Sequence, residues 1–448
     1  METTKILKAH DRQLQVSPEI AKVGYDSPKG KRLRLRLYYM DAFIILRAWT
    51  DFLKVRKQHI GNKYYAVDQA IMHTDHADVK KLMHVEPQLR GNDLGIIRIL
   101  APSYLLNNPL TLGMNGNEHT GSRAVILQAL PQHNEKTDIL GQLIDQALVK
   151  AAGQGKLHVG DDIPGIMVWV LHQLIFQISL SDEEIKASRA YIKGLALASL
   201  PDLISKILLA IKTRPNIQHR KRLIEKYKQS PEWAAYFETG AQYQLNPDQI
   251  ANSLFDTIHI AGTAGTSALL GSVIGVLCLN DALRNDVVAE INAAWNGSET
   301  PNGSLLEQLQ LLDKVILETA RLYPPVRFVS QLATVPGEVT IGNQKCPILK
   351  GTRLLGSIFT ANRDANRYEN PDNFDINRDF SDILSWNGKD HERACPGTSL
   401  SVGIIKIFCL YLFKKYQWSS ITEVKWDFEK VTAVTPNNLV LQGFTQQK

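Results

Sequence analysis

The chain has 448 residues, of which 44% are hydrophobic and 21% charged, with no long low-complexity tract; this excludes intrinsic disorder and leaves room for a large buried core. The formal net charge of +6 is mild for that length, and no interleaving of basic and aromatic residues points to nucleic acid. The four cysteines, Cys278, Cys346, Cys395 and Cys409, lack the paired spacing of a zinc site or a secreted disulfide framework, so a soluble protein in a reducing, cytoplasmic setting is expected.

In chain order, the amino terminus is polar and charged and shows no signal peptide. The first clear pattern is the basic alternation from Lys29 to Arg36, which reads as an edge strand with one solvated face or as a docking surface for an acidic partner or a membrane. Strands are expected over Arg32 to Met40 and Tyr64 to Val67. Helical spacing then dominates from Thr137 to Ile211 and from Gln218 to Leu279, with Pro201, Pro215 and Pro247 as punctuation. The apolar stretch from Asp256 to Leu279 is broken by His259, Thr263, Thr266 and Ser267, so no membrane anchor is expected. A helix from Leu309 to Leu322 stops at Tyr323-Pro324-Pro325; strands follow between Val339 and Ile358, then an irregular polar segment from Ala361 to Arg378, and a last helix from Thr398 to Phe408. The expected architecture is mainly α with minor β, one large domain over 1–448, its strands drawn from both ends at about 30–70 and 335–360.

Chemistry concentrates near the carboxyl terminus. Cys395 sits in the polar loop Trp386 to Gly397, just before a helix start, where amide donors and the positive end of the helix dipole stabilise a thiolate. Gly397 allows a tight turn, and Arg393 offers a cation to a nearby anionic group. A lone cysteine before a helix is more often a small buried hydrophobe. Glu318 and Arg321, three apart on one helix face, are by themselves an ordinary ion pair.

The three elements in order, Glu318-x-x-Arg321, the polar segment ending at Arg378, and the loop ending at Cys395, resemble the cytochrome P450 superfamily. The resemblance implies a haem held between a long distal helix and a proximal cysteine loop, with Cys395 the axial iron ligand and Glu318, Arg321 and Arg378 a buried network behind it. It also implies that His119 and Arg123 bind the haem propionates and Arg393 the haem. Within Ile260 to Ser267 it assigns proton delivery to Thr266, then Thr263, and a haem-facing position to Gly262. The cofactor implied is haem b. The partners implied are a hydrophobic small-molecule substrate and a ferredoxin- or flavodoxin-type electron donor with its reductase.

The resemblance has gaps. The usual Phe and Gly of the cysteine loop are replaced by Gly388 and His391, with Trp386 and Gly388 shifted outward as stand-ins. Ala264 or Gly265 occupies the place of the acid before the threonine, and Gln331 that of a propionate-binding arginine, leaving Arg327 as a substitute. The expected activity is a monooxygenase. The alternative is a peroxygenase or a hydroperoxide isomerase or dehydratase of the allene oxide synthase type, which needs no reductase, although neither the Asn nor the Arg-Pro pair of those enzymes is present. A non-catalytic haem sensor is the third reading.

Overall fold

A computed structural model describes residues 64–447, apart from 68–69, 74, 84–109, 132–135, 199–202, 298–299, 333–336, 342–343, 349–352, 389–390, 427–432 and 434. The basic alternation from Lys29 and the strand expected over 32–40 lie outside the described residues.

The helices in chain order are α1 (His76–Met83), α2 (Gly116–Ala129), α3 (Thr137–Gly153), α4 (Asp162–Phe176), α5 (Asp182–Ala198), α6 (Leu203–Lys228), α7 (Trp233–Ala241) and α8 (Pro247–Asp256). A wide π-type segment, Thr257–Gly265, continues α8 into α9 (Thr266–Leu279). Then come α10 (Asp281–Ala294), α11 (Gly303–Gln308), α12 (Gln310–Leu322), α13 (Ile358–Ala361) and α14 (Thr398–Lys415). The strands are few and short. The largest sheet joins β1 (Tyr64–Val67) and β2 (Ala70–His73) to Arg353–Ser357 and Phe328–Leu332, in the order 64–67, 70–73, 353–357, 328–332. Ala70–His73 pairs in parallel with Arg353–Ser357, so segments nearly 300 positions apart meet in one sheet.

The run α8–π–α9 organises everything else. Asn246 caps it through a reciprocal capping box with Gln249, and Pro247 sits at the first helical position, where its missing N–H costs nothing. Among the described residues this is the one helix long and apolar enough to cross a membrane, but 72% of its apolar window is buried inside the protein, so it is a core helix. It packs on α2, α4, α5, α6, α12 and α14.

Pro215, read as punctuation, instead lies inside α6. Proline there removes one ladder bond and crowds the preceding turn. Its own side chain is exposed, while the following turns bury His219, Arg220, Leu223, Ile224 and Tyr227 against α5 and α8; that burial outweighs the local cost.

Three of those core contacts involve histidines. His172 of α4, His219 of α6 and His259 of the π segment are all buried. Burial pushes His172 and His219 down to about 4 and His259 well below its ordinary value, with Arg220, Arg222 and Lys226 adding to the effect and Glu184 opposing it. The folded state therefore holds neutral rings that the unfolded chain would protonate at about pH 6.5. Their contribution to stability is complete above that pH and falls as pH drops toward 4, by about 1.4 kcal/mol per pH unit for each ring. Urea midpoints measured from pH 7 to 4.5 should fall with that slope, and His172→Gln should remove about one ring's share of it.

Candidate functional site

The site is anchored by charges that never meet water. Glu318 and Arg321 project from the otherwise apolar face of α12, beside Val315, Ile316 and Leu322, and both are 0% exposed. Their pairing is bidentate: Arg321 Nε donates to Glu318 Oε2 and Nη2 to Oε1, each at 2.7 Å. The remaining donors go to backbone, Nη1 to the carbonyls of Asn362 and Pro371 at 2.7 Å and Nη2 to Asn373 O at 3.0 Å. All five N–H groups of a guanidinium are thereby used. Glu318 Oε1 also accepts from the Asp375 amide at 2.8 Å and from Arg378 Nε at 3.3 Å. Arg378 in turn donates to the carbonyls of Glu369, Asn370 and Asn373. The three residues assigned to one network by resemblance are therefore brought together, and their work is to hold the irregular segment 362–378 in shape.

That segment leads into the cysteine loop through Asn362, whose Oδ1 accepts from the Leu384 amide and whose Nδ2 donates to Ser385 Oγ. Ser385 Oγ donates to Ala320 O on α12 at 2.7 Å. The chain then takes three successive left-handed residues, Trp386 (φ 57°), Asn387 (φ 63°) and Gly388 (φ 71°). Only glycine adopts the Gly388 pairing of φ 71° with ψ −159° at low cost. The turn aims the Trp386 carbonyl at the Cys395 amide, 2.9 Å away, and lets Trp386 Nε1 donate to Ser401 Oγ at 3.0 Å. Asn387 Nδ2 donates to Arg393 O, and His391 Nε2–H to Asn387 O. Residues 386–387 are thus cross-bonded to residues 391–395.

Cys395 is a free thiol at the mouth of α14, whose first residue is Thr398. Burial raises its pKa, opposed by the Gly397 amide, the Thr398 hydroxyl and the positive charge of Arg123. The thiol is partly buried, and the Thr398 hydroxyl beside it donates to the Cys395 carbonyl at 3.0 Å, bracing the turn into α14.

On α2, His119 is buried and Arg123, four residues on, shares its face. Arg123 Nη1 donates to Ala394 O at 2.9 Å, beside the cysteine. Arg393 is also buried; its Nη2 donates to Met114 O at 2.9 Å and to Asn115 Oδ1 at 2.8 Å, tying the cysteine loop to the start of α2.

Opposite polarity prevails along the long helix. Thr263 and Thr266 are buried, and the Oγ atoms of Thr263 and Ser267 have no hydrogen-bond partner. A Cβ at Gly262 would meet Leu171 Cδ1 at 2.9 Å and Thr257 O at 3.0 Å, so this glycine is required by close packing on α4. The open positions are Ala261, which is exposed, and Gly265, around whose missing Cβ nothing lies within 4 Å. The face that borders free space therefore carries no acid and no hydroxyl at 261, 264 or 265. Arg327 is 1% exposed and its guanidinium lies over the Phe359 ring at 4.9 Å; Gln331 is half-buried in the strand Phe328–Leu332.

Sequence reasoning overlooked Asn362 and Ser385, which join the network to the loop, and the histidines around the π segment. Only His259, as a polar break in an apolar run, carried a signal.

Residues 200–441 match the family described as Cytochrome P450. Premnaspirodiene oxygenase of Hyoscyamus muticus is 26% identical over 220 residues, 45% of this chain and 42% of that protein. Amorpha-4,11-diene 12-monooxygenase of Artemisia annua is 26% identical over 199 residues, 42% of this chain and 39% of that protein. The matches thus span well under half the length of these relatives. The solved heme domain of a cytochrome P450DA mutant superposes with a TM-score of 0.72 over 89% of this chain and 93% of that one, at 17% identity, which shows the fold.

The network makes a stability prediction. Glu318→Gln keeps the shape but leaves the Arg321 guanidinium buried without its counter-charge, a change that costs about 3–5 kcal/mol. Urea denaturation should show that loss, while Glu307→Gln on the exposed face of α11 should stay within about 0.5 kcal/mol of the parent.

Proposed function

The chain belongs to the cytochrome P450 family, and from that premise we propose that it is a haem-thiolate monooxygenase. In this reading it binds haem b, inserts one oxygen atom from dioxygen into a hydrophobic small molecule, and draws electrons from a separate ferredoxin- or flavodoxin-type donor and its reductase. The observation that carries it is Cys395: a free thiol at a helix start, in a loop held by the buried Glu318–Arg321–Arg378 network. Two of the similar proteins are named as an oxygenase and a monooxygenase of dienes, which supports an apolar substrate.

The residues fit a haem. The thiol is free and lies at a helix start near the positive charge of Arg123, and the long helix, buried almost throughout, opens at Ala261 and Gly265, where a flat group needs room. A bound haem supplies the activation of dioxygen that no side chain can. Cys395 would hold the iron as thiolate, and His119 with Arg123, on one face of α2, would hold the propionates. Arg393 and Gly262 would act through the walls they fix, the first joining the cysteine loop to α2 and the second seating the long helix on α4. Thr266 and Thr263 would hold protons for delivery, the Thr263 hydroxyl being unpartnered. The three free thiols among the described residues support a reducing, cytoplasmic setting.

A second reading is favoured by one observation. The helix face at Ala261, Ala264 and Gly265 has no acid to relay protons, whereas a cycle that starts from peroxide, or rearranges a substrate's own hydroperoxide, needs no such relay.

Two measurements test these readings. Reduced protein under carbon monoxide should show the red-shifted Soret band of thiolate ligation and lose it in Cys395→Ser; a mutant that keeps the band would remove Cys395 as ligand. Turnover of an apolar substrate should require reductase, donor and dioxygen, and turnover with peroxide alone would instead establish the second reading.

A further inference from the structure

The π segment of the long helix is bordered by a chain of hydrogen bonds whose direction can be worked out atom by atom. His259 Nδ1 lies 3.0 Å from Phe255 O, and a carbonyl only accepts, so Nδ1 carries the hydrogen. The ring is fully buried, stacked on Phe255 at 3.8 Å and edge-on to His172 at 5.3 Å, an environment that keeps it neutral. Its Nε2 must then accept, and the partner 3.1 Å away is the hydroxyl of Ser188 on α5. A hydroxyl has one hydrogen. With it spent on His259, Ser188 Oγ must accept from its other neighbour, His219 Nε2 on α6, at 2.8 Å. The same reasoning fixes His172: Nδ1–H donates to Val168 O at 2.6 Å and Nε2 accepts from Tyr227 at 2.8 Å.

The direction matters because of what His259 Nδ1–H does. At the entry to the π segment, side chains donate to carbonyls four residues back: Thr257 Oγ1 to Ser253 O at 2.8 Å and His259 Nδ1 to Phe255 O. Such back-bonding competes with the helical ladder and loosens or bends it. The ladder then runs wide from Thr257 to Gly265, the stretch that contains the open positions Ala261 and Gly265. Only the Nδ1–H tautomer of His259 can make this bond, and that tautomer leaves Nε2 as a buried acceptor in need of a donor.

We propose that Ser188 is a positioning residue: by donating to His259 Nε2 and accepting from His219 Nε2–H, it gives the buried acceptor of the Nδ1–H tautomer its partner and so holds the wide turn of the long helix, tying its shape to the α5–α6 pair. The proposal rests on the haem reading only where the turn is sensed from the iron; the tautomer chain stands without it.

The experiment uses the holoprotein with ¹⁵N-labelled histidine, the resonances being assigned through single His→Gln variants. Two-bond ¹⁵N–¹H spectra should show His259 and His172 as Nδ1–H tautomers and His219 as Nε2–H. Finding His259 as Nε2–H in the parent would overturn the proposal without any variant. In Ser188→Ala the His219 and His259 signals should both shift, and the carbon monoxide stretching band of the reduced complex should move or split as the turn relaxes. Ser188→Thr, which keeps the hydroxyl, should restore both. An unchanged carbon monoxide stretch in a folded Ser188→Ala protein would sink the link to the turn. A missing thiolate Soret band in the parent would instead count against the haem-thiolate reading, leaving the nitrogen spectra to decide the tautomer chain.

Discussion

A buried carboxylate and two arginines set the terms for the carboxyl-terminal half of the protein. Glu318 has four donors, Arg321 five acceptors, and most of the arginine's partners beyond Glu318 are backbone carbonyls of a segment with no regular secondary structure. An irregular chain inside a protein must find partners for its own polar groups, and here a helix supplies them from its side. The arrangement converts charge into shape. Once 362–378 is fixed, Asn362 and Ser385 fix the start of the cysteine loop, and the left-handed turn at 386–388 fixes Cys395.

Around this frame, departures from regular backbone gather where chemistry is proposed. The cysteine is presented by three left-handed residues in a row, and the long helix is wound wide over nine residues. Both irregularities are stabilised by specific side-chain bonds, Trp386 to Ser401 in one case and His259 to Phe255 O in the other. Unusual backbone persists only where its surroundings over-determine it, and these two segments are well supplied.

How far the molecule was legible in its sequence varied with distance along the chain. Glu318 and Arg321 are three apart, so their shared face follows from helix geometry, whereas Arg378 entered through family order and its carbonyl partners could not be foreseen. The strand Tyr64–Val67 and the helix ending at Leu322 follow local pattern and were found where expected. Pro215 misled because propensity is local and the burial that overrides it is not. The glycines of the long helix illustrate the same limit: sequence marks Gly262 and Gly265 alike, but one is crowded by Leu171 and the other faces open space. Ser188, His219 and His259 lie on three elements with no common motif, and nothing short of the assembled core reveals that they touch.

The sheet that joins residues 70–73 to residues 353–357 bears on how the protein reaches this state. Ala70–His73 pairs with Arg353–Ser357, and the His76 amide donates to Asp364, 288 positions away. Closing so long a loop is entropically expensive unless the intervening chain is already compact, and contacts of such separation slow folding. A compact set of helices between them, α12 with its buried charges included, lowers that cost. On a ribosome that edge emerges at least 280 residues after β2, so the β1–β2 hairpin and α1 precede by a long stretch of synthesis the segment that they pair with.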